Sequence, residues 1–290
     1  VIAGDIYDKA IPSADAVEIF DWFVSILRDA VPEAQIMMIS GNHDSASRVN
    51  VFRNVLCRQR IHMIGIPPQE EHEHIAKIQL EDEYGKVNFY LLPFVKPSMI
   101  KGIVGTDEHG NNLSYNDSVH RLIAREIIDP DERNILVSHQ FYVPVGKDLS
   151  EIERMDSEIL TVGNIDAVTA DVLEAFDYAA LGHIHKPMQA GDAYHRYCGT
   201  PMACSVSEAD QPKGIVAVDL REKGNVSVSV IPLEPLRKVR VIRGTLEEIL
   251  KQGCDDYVSV VLTEQVDYDV IDMQDRIRYA FPHLLEIRRD

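Results

Sequence analysis

Hydrophobic positions fall along the chain in short blocks with two different periods. Val17, Phe20, Val24 and Leu27 recur at spacings of three and four, which is one face of a helix. Pro12-Ser13 just before them supplies the helix start, with Ser13 as N-cap. Ile36–Ile39 is a continuous apolar run instead, the pattern of a strand buried on both faces. Val1-Ile2-Ala3 is strand-like and stops at Gly4-Asp5. The opening is therefore strand, helix, strand, with polar residues following each strand.

The alternation continues. A short helix is predicted over residues 49–56 and a strand over Ile61–Ile64, and residues 75–80 and 87–92 alternate around Glu83-Tyr84-Gly85-Lys86 as a hairpin. Val119, Leu122, Ile123 and Ile127 mark a helix, and residues 135–137 a strand ending at Ser138-His139. Residues 168–176 have a helical pattern, and Tyr178–Leu181 a strand ending at Gly182-His183-Ile184-His185. Strands follow at 194–198, 215–220 and 226–231. Ile231-Pro232-Leu233-Glu234-Pro235 reads as a linker. Beyond it comes a fresh small pattern: strand 239–242, helix Leu246–Leu250, strand 258–262, helix Val270–Ala280 and strand 284–287. Two domains are expected, residues 1–232 and a small α+β module at 236–290. No internal repeat or low-complexity tract interrupts them.

Composition narrows the class. With 290 residues, 45% hydrophobic and 26% charged, the chain can bury a substantial core, which excludes a disordered, collagen-like or disulfide-built scaffold. The 47 acidic residues exceed the 29 basic ones, and a net charge of −18 repels polyanions on average. A metal site or a local basic strip can override that average. Arg237, Lys238, Arg240 and Arg243 form one such strip, although a solvated strand face explains it about as well. Cys57, Cys198, Cys204 and Cys254 have no metal-finger spacing, so they read as reduced, mostly buried thiols of a cytoplasmic protein. No apolar run approaches the roughly 20 residues that span a bilayer, and no signal peptide is visible.

The candidate chemistry sits where strands end. Asp5 with Asp8, Asn42 with His43, His139, and His183 with His185 each follow a predicted strand, where α/β folds place their sites. Taken singly, each reads equally well as a turn, a cap or a satisfied histidine. Their recurrence at successive strand ends changes the balance. Carboxylate, amide oxygen and imidazole together suit Mn²⁺, Fe²⁺ or Zn²⁺, and the lack of thiolates disfavours a structural zinc. Two such cations about 3.5–4 Å apart can clamp a phosphate.

Gly4-Asp5-Ile6-Tyr7-Asp8, Gly41-Asn42-His43-Asp44, Ser138-His139-Gln140 and Gly182-His183-Ile184-His185 resemble, in order and spacing, the motifs of the calcineurin-like metallophosphoesterases. More narrowly, residues 41–48, 176–187 and 197–210 and the module after 236 resemble the SbcD-type nucleases of that family, over essentially the whole chain. The resemblance implies an α/β fold, a four-layer αββα sandwich with a small α+β cap that shapes a DNA groove. It implies that Asp5 bridges two metals, that Asn42, His139 and His183 complete the second metal's shell, and that His185 binds the first. His43 would be the general acid, Asp44 would orient its ring, and Asp8 would help place the substrate phosphate. The implied activity is Mn²⁺-dependent cleavage of DNA, as a double-strand exonuclease and single-strand endonuclease in repair, recombination and replication. Its implied partner is an SMC-like ATPase, SbcC, in a heterotetramer built on a homodimer, with no membrane association. In the family the first helices of the catalytic domain help form the dimer contact, which makes the exposed part of residues 14–29 a candidate.

The pattern also departs from the family. The family's opening Asp-x-His, which supplies two ligands of the first metal, has no counterpart before Val1. Asp107-Glu108-His109 lies in a polar loop and reads as a decoy. The expectation is a fragment cut at both ends, with two Mn²⁺ per intact site and one in this stretch. Lys186, Arg196 and Lys213, like Arg237 and Arg240, could contact DNA phosphates or could equally be surface charges. Glu70-Glu71-His72-Glu73-His74 reads as a solvated acidic loop and Trp22 as a packing residue. Two other readings use the same residues: a phosphatase or small-molecule phosphodiesterase on the same scaffold, and a non-catalytic docking scaffold.

Overall fold

The apolar runs build the first sheet in the computed structural model, which describes residues 1–147, Glu158, 166–263 and 270–290. Strands β1 (Ile2–Ala3), β2 (Ile36–Ile39) and β3 (Ile61–Ile64) lie side by side in that order, all parallel. Parallel neighbours need a long crossover, and helix α1 (Ala14–Ala30) supplies it between β1 and β2. Its N-cap is the expected one, with Ser13 Oγ accepting the Ala16 N–H. Successive residues of a strand face opposite ways. Ile36 and Met38 therefore pack against Phe20, Val24 and Leu27 of α1. Met37 and Ile39 point the other way and meet Leu91 and Val137. Both faces of β2 are covered, which is why its sequence is apolar without a break. The helix expected over 49–56 is two short ones, α2 (Ala46–Val49) and α3 (Arg53–Leu56), because Phe52 between them is left-handed at φ 62°.

The second sheet continues the chain. Strands β4 (Ala76–Asp82) and β5 (Gly85–Leu92) form the expected antiparallel hairpin. Helices α4 (Pro97–Val104) and α5 (Tyr115–Ala124) follow, then β6 (Arg133–Ser138). The short strands β7 (Phe141–Val143) and β8 (Ala167–Thr169) pair with each other, and β9 (Tyr178–Leu181), β10 (Met188–Gln189) and β11 (His195–Tyr197) complete the set. The six-stranded order is β10-β11-β9-β6-β5-β4. Leu92, Leu136 and Leu181 face Ile100, Leu122 and Leu173 on the helical side. Leu91, Val137 and Ala180 alternate to the other side and meet the first sheet. The segment 168–176 is a strand followed by a 3₁₀ turn, Ala170–Ala175, not a helix. Val168 pairs with Tyr142 there, and that pairing overrides the local pattern.

Contacts divide the described chain into two units. The first comprises residues 1–147, 166–199 and 217–229, and the second 200–216, 230–263 and 270–290 with Glu158. The segment 200–216, expected with the first domain, groups with the second. Strands β12 (Gly214–Leu220) and β13 (Val226–Pro232) pair in a two-stranded sheet. All five elements expected after residue 236 are present: β14 (Val239–Gly244), α6 (Leu246–Leu250), β15 (Tyr257–Leu262), α7 (Val270–Ala280) and β16 (His283–Arg289). The three strands are parallel in the order β14-β15-β16. Leu246, Ile249, Met273 and Ile277 cover Ile242, Val258, Val260 and Leu262. Thr245 and Glu248 cap α6 reciprocally. No helix among the described residues is long and apolar enough to cross a membrane.

Candidate metal centre

Four strand ends converge, those of β1, β2, β6 and β9. The turn after β1 holds Asp5 in a left-handed conformation, φ 49°. Its carboxylate Oδ2 lies 3.1 Å from His139 Nε2, and Oδ1 accepts the His43 backbone N–H at 3.0 Å. Asn42 Oδ1 lies 2.9 Å from His139 Nε2 and 3.0 Å from His183 Nδ1. His139 and His183 are almost wholly buried, with ring centroids 5.3 Å apart. Phe94 stacks on His183 and meets His139 edge-on. The His139 Nδ1–H donates to the Ala3 carbonyl at 2.6 Å, which turns Nε2 toward Asp5 and Asn42.

Two glycines make this approach possible. A Cβ on Gly41 would lie 2.0 Å from Asp5 Oδ1, and one on Gly182 would lie 1.7 Å from the Ala3 carbonyl oxygen. Space, rather than turn conformation, is what these motifs require of glycine. Electrostatics keeps the centre anionic. Burial opposes ionisation of Asp5, but the charge and hydrogen bond of His139, with the His43 N–H, outweigh it and hold the carboxyl at about 2. One carboxylate, one amide oxygen and two imidazole nitrogens thus line up in successive contact, and their donor types suit a divalent cation of intermediate hardness.

Comparison with known proteins adds an independent finding. Residues 235–290, the five-element module, match the SbcD C-terminal family model, described as type 5 capsule protein repressor C-terminal domain. The chain is 28% identical over 298 aligned residues to the SbcD subunit of the nuclease SbcCD of Staphylococcus epidermidis (strain ATCC 12228 / FDA PCI 1200), covering 99% of this chain and 73% of that protein. The chain is SbcD-like along nearly its whole length.

Around this centre the other expected residues are placed unevenly. Asp44 does not orient His43. Its carboxylate accepts the N–H groups of Gly41 at 2.8 Å and of Ile6 and Tyr7 at 3.0 Å, tying the first two loops together. Burial raises its pKa despite those bonds. The His43 ring is held instead by Asp8, through the backbone carbonyl, 3.0 Å from Nδ1. The Asp8 carboxylate faces solvent beside Lys9. His185 is half-buried on the loop that carries His183. Asp107 is occupied by its own turn, accepting the N–H groups of His109 and Asn111, as expected of a decoy.

The basic candidates are mostly engaged. Arg237 pairs with Asp255 at 3.1 Å and Arg240 with Asp256 at 3.6 Å, so the strip is neutralised where it stands. Lys213 is buried and donates to Glu208 at 2.6 Å, so it is an internal ion pair rather than a surface charge. Lys186 and Arg196 are half-buried, and Arg196 donates to the Ala193 carbonyl. Trp22 is 67% exposed and does not pack, because α1 buries the Phe20-Val24-Leu27 face instead. None of the four cysteines is fully buried, and none forms a disulfide. The loop 70–74 is exposed but organised: Glu73 accepts the N–H groups of Gln69 and Glu70.

Some supporting groups left no mark in the sequence pattern. The Ala3 carbonyl is backbone and carries no side-chain signal. Tyr197 is buried where its hydroxyl donates to the Gln140 carbonyl at 2.8 Å and accepts the Tyr142 N–H at 2.6 Å, bracing the loop after His139. Asp166, 4% exposed, lies on the far side of His183.

Proposed function

We propose that the chain is the nuclease subunit of an SbcCD-type complex, a Mn²⁺-dependent enzyme that hydrolyses DNA phosphodiesters. The observation that carries this reading is the convergence of Asp5, Asn42, His139 and His183 from four strand ends, linked in a chain of contacts from Asp5 to His139, His139 to Asn42 and Asn42 to His183. A divalent cation held by these residues would neutralise charge on a phosphoryl group and polarise its oxygen. His185 is proposed as a ligand of a second cation. The core clusters favour a four-layer αββα sandwich for the catalytic domain, with residues 236–290 as the DNA-capping domain. On this reading the enzyme is a double-strand exonuclease and single-strand endonuclease of DNA repair and recombination. It works in the cytoplasm with an SbcC-type ATPase.

The role of His43 follows from its hydrogen bond. The Asp8 carbonyl accepts from Nδ1–H, so Nε2 is the nitrogen free to gain and release a proton. That is what protonation of a leaving oxygen requires. Lys186 and Arg196 remain the proposed phosphate contacts. Arg237 and Arg240 would have to exchange Asp255 and Asp256 for phosphates, so their contribution is expected to be smaller. The Ile19, Trp22, Phe23 and Ile26 stripe of α1 is exposed at spacings of three and four, and we assign the homodimer contact to it.

The experiment compares the chain and His43→Ala, in Mn²⁺, on labelled duplex DNA and on a chromogenic phosphate ester. Duplex cleavage that falls by ~10²–10⁴-fold in the variant, with Mn²⁺ content unchanged, is the expected result for a general acid. Metal lost in proportion to activity would make His43 a ligand. Turnover of the ester without cleavage of DNA would favour the phosphatase reading.

A further inference from the structure

Two carboxylates exchange backbone donors between the loops after β1 and β2. Asp5, in the first loop, accepts the His43 N–H of the second loop on Oδ1 at 3.0 Å. Asp44, in the second loop, reaches back to the first. Its Oδ1 accepts the Tyr7 N–H and its Oδ2 the Ile6 N–H, each at 3.0 Å. Oδ2 also accepts the Gly41 N–H at 2.8 Å within its own loop. These donors sit beside the proposed ligands: Ile6 follows Asp5, and Gly41 and His43 flank Asn42.

The first loop needs such an anchor. Asp5 has φ 49°, a conformation that a non-glycine residue keeps only where its surroundings over-determine it. Successive N–H groups in a turn of this kind converge on an anion, and the Asp44 carboxylate is that anion. The loops also lie too close for slack, since a Cβ on Gly41 would come within 2.0 Å of Asp5 Oδ1. A shift of either loop therefore changes the spacing between Asp5 and Asn42. The His43 ring takes no part in the clasp, because Nδ1 is held by the Asp8 carbonyl at 3.0 Å.

We infer that Asp44 is a positioning residue for the cation and not for the general acid: its carboxylate clasps the two loops and keeps the Asp5 carboxylate and the Asn42 amide at the spacing a shared metal needs. This rests on the metal reading proposed above and replaces the part that the family resemblance gives to Asp44. The two parts have different consequences. Loss of a group that orients His43 lowers proton transfer at every Mn²⁺ concentration. Loss of a group that spaces the ligands weakens binding, which excess Mn²⁺ offsets by mass action.

The test compares the chain with Asp44→Ala, Asp44→Asn and a destabilised control, Arg133→Met, at the other end of β6 from His139. Mn²⁺ affinity, from the paramagnetic resonance signal of free Mn²⁺, should weaken by ~10–100-fold in Asp44→Ala. Asp44→Asn should lose less, because its amide oxygen can keep the Ile6 and Gly41 N–H groups while its NH₂ faces Tyr7. Arg133→Met should keep the parent's affinity; an equal loss there would reduce the Asp44 effect to stability and overturn the inference. Duplex cleavage by Asp44→Ala should fall at limiting Mn²⁺ and recover toward the parent rate at saturating Mn²⁺. A loss of ~10²-fold or more that saturating Mn²⁺ leaves in place would return Asp44 to the acid and overturn the inference. Amide hydrogen exchange of the metal-free chain reads the clasp directly: Ile6, Tyr7 and Gly41 should be protected in the parent, and Tyr7 should open in Asp44→Asn. Free exchange of all three in the parent would overturn the clasp. If Asp44→Ala fails to fold, Asp44→Asn and the parent's exchange still decide. A parent that binds Mn²⁺, with the same affinity in both Asp44 variants, would overturn this inference alone. A parent that takes up no Mn²⁺ would overturn the metal reading and the inference with it.

Discussion

Gly182 is where a single methyl group should do the most damage. Its backbone lies outside the left-handed region, so alanine is conformationally acceptable there and only space forbids it. The added Cβ would meet the Ala3 carbonyl oxygen at 1.7 Å and His139 Nδ1 at 2.7 Å. Real Cβ atoms do not come closer than 3.0 Å, so β1 and the β9 loop must separate by about 1.3 Å. The Ala3 oxygen is the same atom that accepts the His139 N–H at 2.6 Å. A shift of that size breaks the hydrogen bond and frees the ring. Overpacking of this kind costs about 1–3 kcal/mol, and misplacement of a catalytic group by ~1 Å can cost ~10²-fold in rate. Gly182→Ala should therefore melt several degrees lower, bind Mn²⁺ more weakly and cleave DNA ~10²-fold more slowly. Thermal unfolding, Mn²⁺ titration and cleavage of labelled duplex measure these separately. Unchanged melting together with unchanged Mn²⁺ affinity would show that the β1–β9 approach is not as close as the structure places it.

Three further outcomes are expected. Trp22→Glu should convert a self-associating chain to monomer by light scattering, since a central Trp commonly contributes about 2 kcal/mol or more, on the order of a tenfold or larger loss of affinity; a parent chain already monomeric at high concentration would remove α1 as the contact. The folded pKa of Asp5, about 2, lies below its ordinary 3.8, so its contribution to stability is complete above 3.8 and is lost as pH falls toward 2; a carboxyl ¹³C titration of Asp5 with its midpoint at or above 3.8 contradicts this. Arg133, buried, donates to Asp82 and to the carbonyls of Gly85, Leu220 and Arg221, so Arg133→Met should lose on the order of 2 kcal/mol in urea unfolding by stranding acceptors; a loss below about 0.5 kcal/mol would mean those acceptors find water.

The elements whose burial is periodic are legible in the chain alone. The β2 run, the β4–β5 hairpin and all five elements after residue 236 are legible because alternation and helical spacing record which face is covered. The sequence also placed the ligand types at strand ends, because glycine, aspartate and histidine there serve no packing purpose that a commoner residue would not. What each group touches depends on the folded chain. Asp44 and Asp8 lie in the loops where they were expected, yet their contacts differ from the expected ones: the carboxylate of Asp44 ties loops together, and the carbonyl of Asp8 holds His43. The basic strip was visible, but not the aspartates 18 and 16 positions away that neutralise Arg237 and Arg240. Residues 168–176 carry a helical spacing, yet Val168 pairs as a strand because Tyr142 is there to pair with. The physical reason is common to all of these. Periodicity encodes one residue's relation to an average surface, whereas a hydrogen bond, an ion pair or a 1.7 Å clash depends on a specific atom brought near from elsewhere in the chain.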